Sequence, residues 1–199
     1  MTFYAQDKLQ SLGFKRLGKD VMLSDRASIY NPANIEIDDN SRIDDFCVLS
    51  AGAGGIAIGR YVHIAVYCSL IGSARIEMRD FSGLSSRVSI YSSNDDYSGE
   101  FLTNPTVPVA YTRVTNAPVV VGRHVIIGSG SIVLPNVTLH DGSAVGALSL
   151  VKRDCEEFGT YFGVPAKRIG HRRRDLLQLE QELLESEIKV REPSARDSQ

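Results

Sequence analysis

VGRHVIIGSGSIVLPNVTLHDGSAVGALSLV, residues 121–151, repeats itself every six positions: Val121, Ile127, Val133, Leu139, Val145 and Val151 are all aliphatic. Four residues after each stands a small or β-branched side chain, in turn Val125, Ser131, Val137, Ser143, Ser149 and Cys155. A period of six fits neither the 3.6-residue helix nor the two-residue alternation of a plain strand. Upstream the series continues through Ile37, Ile43 and Leu49, slips by three residues, and resumes at Ile58, Ile64, Leu70, Ile76, Ser82 and Val88. The small positions there are Ser41, Cys47, Ala53, Val62, Cys68, Ala74, Asp80, Ser86 and Ser92. Only Ser82 breaks the aliphatic rule and only Asp80 the small-residue rule. Two restricted positions in six describe a short strand with one inward aliphatic residue, followed by a turn whose inner corner admits only a small group. Gly59, Gly83, Gly122, Gly128 and Gly146, each directly after an inward position, fit the same crowding.

Composition narrows the function classes. The chain has 199 residues, enough for one main domain with a substantial core. Its 22 Lys+Arg balance 24 Asp+Glu for a net charge of -2, so no global basic field draws it to nucleic acid or to anionic lipid. No basic-then-apolar leader opens the sequence and no apolar run is long enough to span a bilayer, which predicts a cytoplasmic protein acting on a small molecule. Cys47, Cys68 and Cys155 lie far apart, without metal spacing, and all fall at the small corner position. They read as compact buried hydrophobes rather than a disulfide, zinc or catalytic set.

The repeat resembles that of the hexapeptide-repeat acyltransferases, whose motif is an aliphatic residue, a small residue, two free positions, a small residue and a free position. The resemblance covers roughly Ser24 to Gly170. It implies an all-β fold, a left-handed parallel β-helix of hexapeptide repeats with a long excursion loop and a C-terminal α-helix. Three hexads make one triangular rung in that family, so the fifteen read here imply five rungs. Three parts are expected: an approach segment with a short helix near Gln6 to Leu12 (1–23), the β-helix with its loop at 94–120 (24–170), and a C-terminal segment (171–199). In the last, Leu176, Leu179, Leu183, Leu184 and Ile188 predict an amphipathic helix within Arg172 to Val190, followed by a disordered polar tail. The run Arg172-Arg173-Arg174 reads as a solvated surface cluster rather than a phosphate site.

The excursion holds Pro105, Pro108 and Pro118 with Tyr97, Phe101 and Tyr111, a composition for an ordered loop docked on a neighbour rather than a free linker. In the family such a loop borders an active site shared by two subunits of a trimer, which implies a homotrimer. Gly163-Val164-Pro165-Ala166-Lys167-Arg168-Ile169 is similar to the family's Gly-x-Pro-Ala-Lys/Arg closing segment. By that resemblance Pro165, Lys167 and Arg168 lie beside the coenzyme A arm, Lys167 first among them for the nucleotide phosphates. Gly128, Ala147 and Ser149 would line the pantetheine through backbone groups.

Galactoside-type members carry a catalytic histidine where the chain leaves the coil, but this sequence has Asn94, Asp95 and Asp96 there. The substitutes are one of those carboxylates or His63, which follows Gly59-Arg60-Tyr61-Val62 at an outward position. Asn94 to Asp96 equally suit local turn chemistry, and His63 equally suits a surface corner. His124 and His140 read as surface residues. A hydroxyl acceptor must lose a proton on attack, and a carboxylate with a pKa near ~3.9 is a weak base for that, whereas a neutral amine needs only to be held and oriented. The resemblance and this argument together imply acetyl transfer from acetyl-CoA to the amine of a nucleotide-linked amino-dideoxy sugar, of the kind that supplies bacterial surface polysaccharides. The alternative is saccharide O-acetylation with His63 as base. A scaffold, or a zinc-binding carbonic-anhydrase-like relative, is the third reading. His63, His124 and His140 are too few for the zinc site, so no metal is expected, and a scaffold has no use for the closing segment.

Overall fold

The computed structural model describes residues 1–191, with side chains through 188. The predicted disordered tail lies outside the described residues. The chain coils as a left-handed parallel β-helix with three faces. The first face stacks Arg16–Leu17, Ile35–Ile37, Ile56–Ile58, Ile76–Met78, Val119–Val121 and Val137–Leu139. On the second lie Met22–Leu23, Arg42–Ile43, His63–Ile64, Gly83–Leu84, Ile126–Ile127, Ala144–Val145 and Gly159–Phe162, closed by the antiparallel strand Lys167–His171. The third carries Ser28–Tyr30, Val48–Ala51, Ser69–Gly72, Ser89–Tyr91, Ile132–Val133 and Leu150–Val151. A single core runs the length of the prism, with Leu23, Ile37, Ile43, Leu49, Ile58, Ile64, Leu70, Leu84, Ile90 and Ile127 all buried within it.

The register differs from the period-six reading in one place. Ile58 pairs with Met78, Ile64 with Leu84, and Leu70 with Ile90, so two extra residues enter between Leu70 and Met78. Ile76, Ser82 and Val88 therefore occupy small corner positions, and Ser82 violates nothing: it stands between Val62 and Val125. Asp80 is a turn residue whose carboxylate accepts the Arg60 N–H at 2.8 Å, as Asp141 does for Arg123 two rungs on. Gly83 also changes place. It precedes the inward Leu84 and faces out, where an added Cβ would meet only the His63 carbonyl oxygen at 3.8 Å, while at Gly59 or Gly128 a Cβ would run into the next rung at 2.4 Å.

Counting complete rungs gives six rather than five, because Leu17, Leu23 and Ile29 pair with Ile37, Ile43 and Leu49. That rung lies largely in the segment expected to precede the coil. The leading helix spans Gln6–Gln10 and the C-terminal one Leu176–Arg191. All three cysteines are buried in corner columns, and burial raises the Cys155 thiol to about 12.

Turn residues with left-handed backbone stack along the edges. Tyr61, Phe81 and His124 have φ near 60° and form one ladder, with ring centroids 5.0 and 5.1 Å apart. His124 is thus no surface residue. Its side chain is 10% exposed beneath the C-terminal helix, while His140 is exposed as the sequence suggests.

Candidate functional site

His63 stands on the second face in an outward row that reads Arg42, His63, Gly83, Ile126, Ala144. Its Nε2 lies 2.9 Å from Oδ2 of Asp44, a buried carboxylate that also accepts Arg42 Nε–H at 2.7 Å. Beside it Ala65, Gly83, Ser85, Ser86, Ile126 and Ser129 line an open cavity of about 290 Å³. The depression exists because three successive outward positions, Ala65, Gly83 and Ser85, carry little or no side chain.

The corner joining the second and third faces has a chemical property of its own. The backbone N–H groups of Ser86, Ser129 and Ala147 make no hydrogen bond among the described residues, although their neighbours' amides bond rung to rung. These three free donors form a row running from the cavity toward the closing segment, and such a row fits the amides of an extended pantetheine-like chain. Ala147 and Gly128 stand at this corner as expected. Ser149 does not face out: it is buried, its hydroxyl donates to Gly146 O at 2.8 Å, and that oxygen accepts Gly163 N–H at 3.0 Å. The acceptor of the Gly163 N–H is the Ser149 Oγ itself, so the Ser149 side chain ties the closing segment to the coil.

In that segment the Ala166 N–H donates to Leu150 O, which anchors the turn containing Pro165. Lys167 is exposed and has no ion-pair partner among the described residues. Arg168 is engaged by Glu156 at 2.5 Å and by His171 Nδ1 at 2.8 Å. The three arginines beyond it hold the chain rather than a ligand: Arg172 donates to the carbonyls of His124 and Gly142, Arg173 pairs with Asp175, and Arg174 lies over Phe158. Desolvation lowers the Arg172 pKa from its ordinary value.

The excursion opens as a two-residue antiparallel ladder, Ser93–Asn94 against Thr115–Asn116, which leaves Asp95 at the mouth of the loop. Asp95 lines two adjoining cavities. One, about 670 Å³, is walled by Tyr91, Asn94, Tyr97, Ile132, Leu134 and Leu150; the other, about 520 Å³, by Ile71, Asn104, Pro105, Val107 and Val109. The neighbouring carboxylate is used locally. Asp96 accepts hydrogen bonds from the Ser98 hydroxyl and from the Ser98 and Gly99 N–H groups, and these hold its pKa below the usual carboxylate value. Among the described residues, His63 lines the 290 Å³ cavity and Asp95 the other two.

Ser85 was not singled out from the sequence. It is an outward residue next to an inward leucine, and nothing in its neighbours marks it. Among the described residues no group of three His, Cys, Asp or Glu side chains is placed to hold a metal ion, and no helix is long and apolar enough to cross a membrane.

No family model matches the chain. A dTDP-4-amino-4,6-dideoxy-D-glucose acyltransferase of Escherichia coli is 54% identical over 180 residues, 90% of this chain and 94% of the relative. A relative from Escherichia coli K12, named for O-acetyl transfer in lipopolysaccharide biosynthesis, is 27% identical over 79% of this chain and 87% of its own. Among solved structures, AntD, an N-acyltransferase from Bacillus cereus, superposes with 46% identity. A serine-to-alanine variant of it holding dTDP-4-amino-4,6-dideoxyglucose and coenzyme A gives a TM-score of 0.90 over 93% of this chain and 98% of that one. AntD with dTDP and 3-hydroxybutyryl-CoA gives 0.87 over 92% and 97%.

Proposed function

The chain belongs to the hexapeptide-repeat nucleotide-sugar N-acyltransferases, and from that premise we propose that its acceptor is the 4-amine of dTDP-4-amino-4,6-dideoxyglucose. It is an acyl-transferring enzyme and acyl-CoA is its co-substrate. The acyl group is acetyl at the smallest. In the proposed ternary complex the neutral amine attacks the thioester carbonyl, the C–S bond of the tetrahedral adduct breaks, and the proton lost by nitrogen ends on the departing thiolate. No covalent enzyme intermediate is needed.

The observation that carries the assignment of roles is the contrast between the two neighbouring carboxylates. Asp96 is consumed by its own turn, while Asp95 faces two cavities without a hydrogen-bond partner among the described residues. Asp95 holds and orients the amine, which places its lone pair toward the thioester. The spacing in AntD supports this: its structures include variants of an aspartate and of a serine ten residues earlier, the separation of Ser85 from Asp95. Ser85 lies at the end of the free amide row, where the thioester carbonyl would arrive. Lys167 meets the nucleotide phosphates of coenzyme A.

A site shared between two chains is supported by the cavities, since His63 and Ser85 line one and Asp95 lines others. The excursion loop exposes Tyr97, Leu102, Val109 and Tyr111, an apolar surface fit to dock on a neighbouring copy. The assembly is a homotrimer of three-sided coils, working in the cytoplasm on a precursor of O-antigen-type surface polysaccharide.

The test is a thiol-release assay with acyl-CoA, the dTDP-linked 4-amino sugar and plain saccharides. Asp95→Asn is expected to lower kcat by ~10²-fold or more, with Asp96→Asn and His63→Ala milder. One observation favours O-acylation instead, namely the Asp44 carboxylate that orients His63 as it would a general base. Turnover confined to hydroxyl acceptors, abolished in His63→Ala, would establish that reading.

A further inference from the structure

Gly83 is a strand residue whose glycine the fold does not require. Its backbone is not in the left-handed region, and a Cβ built on it meets nothing nearer than the His63 carbonyl oxygen at 3.8 Å. Glycine inside a strand is less stable than alanine would be there, because it gives up more backbone freedom and packs no side chain. Gly59, Gly122, Gly128 and Gly146, which directly follow inward residues, are kept from bearing a side chain by the next turn of chain, whereas Gly83 occupies an outward strand position with room for one. What the missing side chain leaves is the floor of the 290 Å³ cavity, with His63 on one side, Ile126 on the other and Ser85 at its edge.

The row of free N–H groups at Ala147, Ser129 and Ser86 leads from the closing segment into this cavity. A chain of pantetheine chemistry laid along it brings its thioester to Ser85, so whatever the thioester carries passes over Gly83. We propose that the notch above Gly83 is the acyl-chain pocket, that it admits donors longer than acetyl, and that Gly83 and Ile126 set the length accepted. This rests on the N-acyltransferase reading above. Methylenes of the acyl group would lie on the Gly83 backbone and the Ile126 side chain, while the His63 and Ser85 edge stays polar for a hydroxyl on the chain.

The experiment compares acetyl-CoA with butyryl-CoA on wild type, Gly83→Ala, Gly83→Val and Ile126→Ala, by thiol release with the dTDP-linked 4-amino sugar and by calorimetric titration without acceptor. The ratio of kcat/KM for butyryl over acetyl is expected to fall at least ~10-fold in Gly83→Val and less in Gly83→Ala, and to rise in Ile126→Ala. Affinities without acceptor should follow the same order. If Gly83→Val lowers both donors equally, or leaves the ratio unchanged in turnover and in titration, the notch is not the acyl pocket. Absence of turnover on the amino sugar in wild type sinks the acceptor assignment alone, because the titration still reads the notch. Unfolding midpoints of the variants close to wild type confirm that the comparison concerns the pocket.

Discussion

His124 Nε2 lies 2.8 Å from Oε2 of Glu180, a residue fifty-six positions further along the chain, and Arg123 pairs with the other oxygen of the same carboxylate. Glu180 is 9% exposed. This contact, with Arg60–Glu187 at 2.9 Å, fixes the C-terminal helix against the edge where Tyr61, Phe81 and His124 stack. Glu180→Ala leaves a covered imidazole and a guanidinium without their acceptor. Breaking a buried pair is destabilising by several kcal/mol, but Arg123 still reaches water, so about 2 kcal/mol is expected here. For a chain of this size that is a fall of roughly 4–8 °C in Tm, measurable by calorimetry. Of its apolar side chains, among the described residues only Leu176 and Leu184 are half-buried, while Leu179, Leu183 and Ile188 are exposed, so a variant with wild-type Tm would show that those two and the Arg60–Glu187 pair suffice to hold the helix.

Ser82 is expected to be a site of gain. Its hydroxyl is buried without a hydrogen-bond partner, in a corner column where the flanking rungs place Val62 and Val125. Leaving a hydroxyl unsatisfied is destabilising by about 1–3 kcal/mol. Ser82→Ala removes the group with a small loss of volume and should raise stability by about 1 kcal/mol in urea unfolding. A drop in the midpoint would mean that the hydroxyl is satisfied in solution.

The same Ser82 shows where the sequence was legible. A strand such as Ile76–Met78 buries both its first and third residues, so two inward positions lie two apart. A period of six can then pass from the strand column to the corner column without a visible break, leaving only a misplaced serine and aspartate as traces. Leu17, Leu23 and Ile29 obey the period too, but a step of eight positions from Ile29 to Ile37, with Pro32 inside it, separates them from the main series. His124 was misplaced because its cover arrives from a distant helix. That Asp96 and not Asp95 is taken up by local hydrogen bonds depends on Ser98 and Gly99 closing a turn, which residue types alone leave open.

That turn makes the excursion loop sensitive to acid. The Ser98 hydroxyl and the N–H groups of Ser98 and Gly99 stabilise the Asp96 carboxylate, so its pKa in the folded loop is below the unfolded value. A depressed carboxylate contributes order that is present above the unfolded pKa and is lost as pH falls through the folded one. Amide exchange at Ser98 and Gly99 is expected to accelerate, beyond its intrinsic pH dependence, as the solution is taken down through the carboxylate range. Asp96→Asn should show the faster exchange near neutrality, and the two proteins should converge in acid, where the wild-type carboxylate is protonated too. Equal protection in the two proteins near neutrality would rule out the turn as the loop's anchor.

Lys167 and Arg168 are adjacent, yet only Arg168 has its guanidinium engaged, by Glu156 and His171. Lys167→Ala is therefore expected to raise the KM for acyl-CoA several-fold with kcat little changed, the signature of binding lost equally from ground and transition states. The effect should shrink as ionic strength rises, because a single exposed lysine meets phosphate as a screened charge. Arg168→Ala should move KM less. If Arg168→Ala has the larger effect at low salt, the phosphates are met by the arginine after its partners let go.

Ser85 stands at the junction of the free amide row and the cavity that Gly83 floors, with Cys68 Sγ behind it donating to its carbonyl oxygen at 3.1 Å. Under the proposed binding mode its hydroxyl would meet the thioester carbonyl, and a donor aimed at the developing oxyanion acts in the transition state more than in the ground state. Ser85→Ala should thus lower kcat by ~10–100-fold while the KM for acyl-CoA stays close to wild type, and Ser85→Thr should recover part of the loss because it restores the hydroxyl. Steady-state kinetics with both substrates varied separates the cases. A rise in KM for the amino sugar with kcat preserved would instead place the hydroxyl on the acceptor, where it would help Asp95 hold the ring rather than steady the adduct.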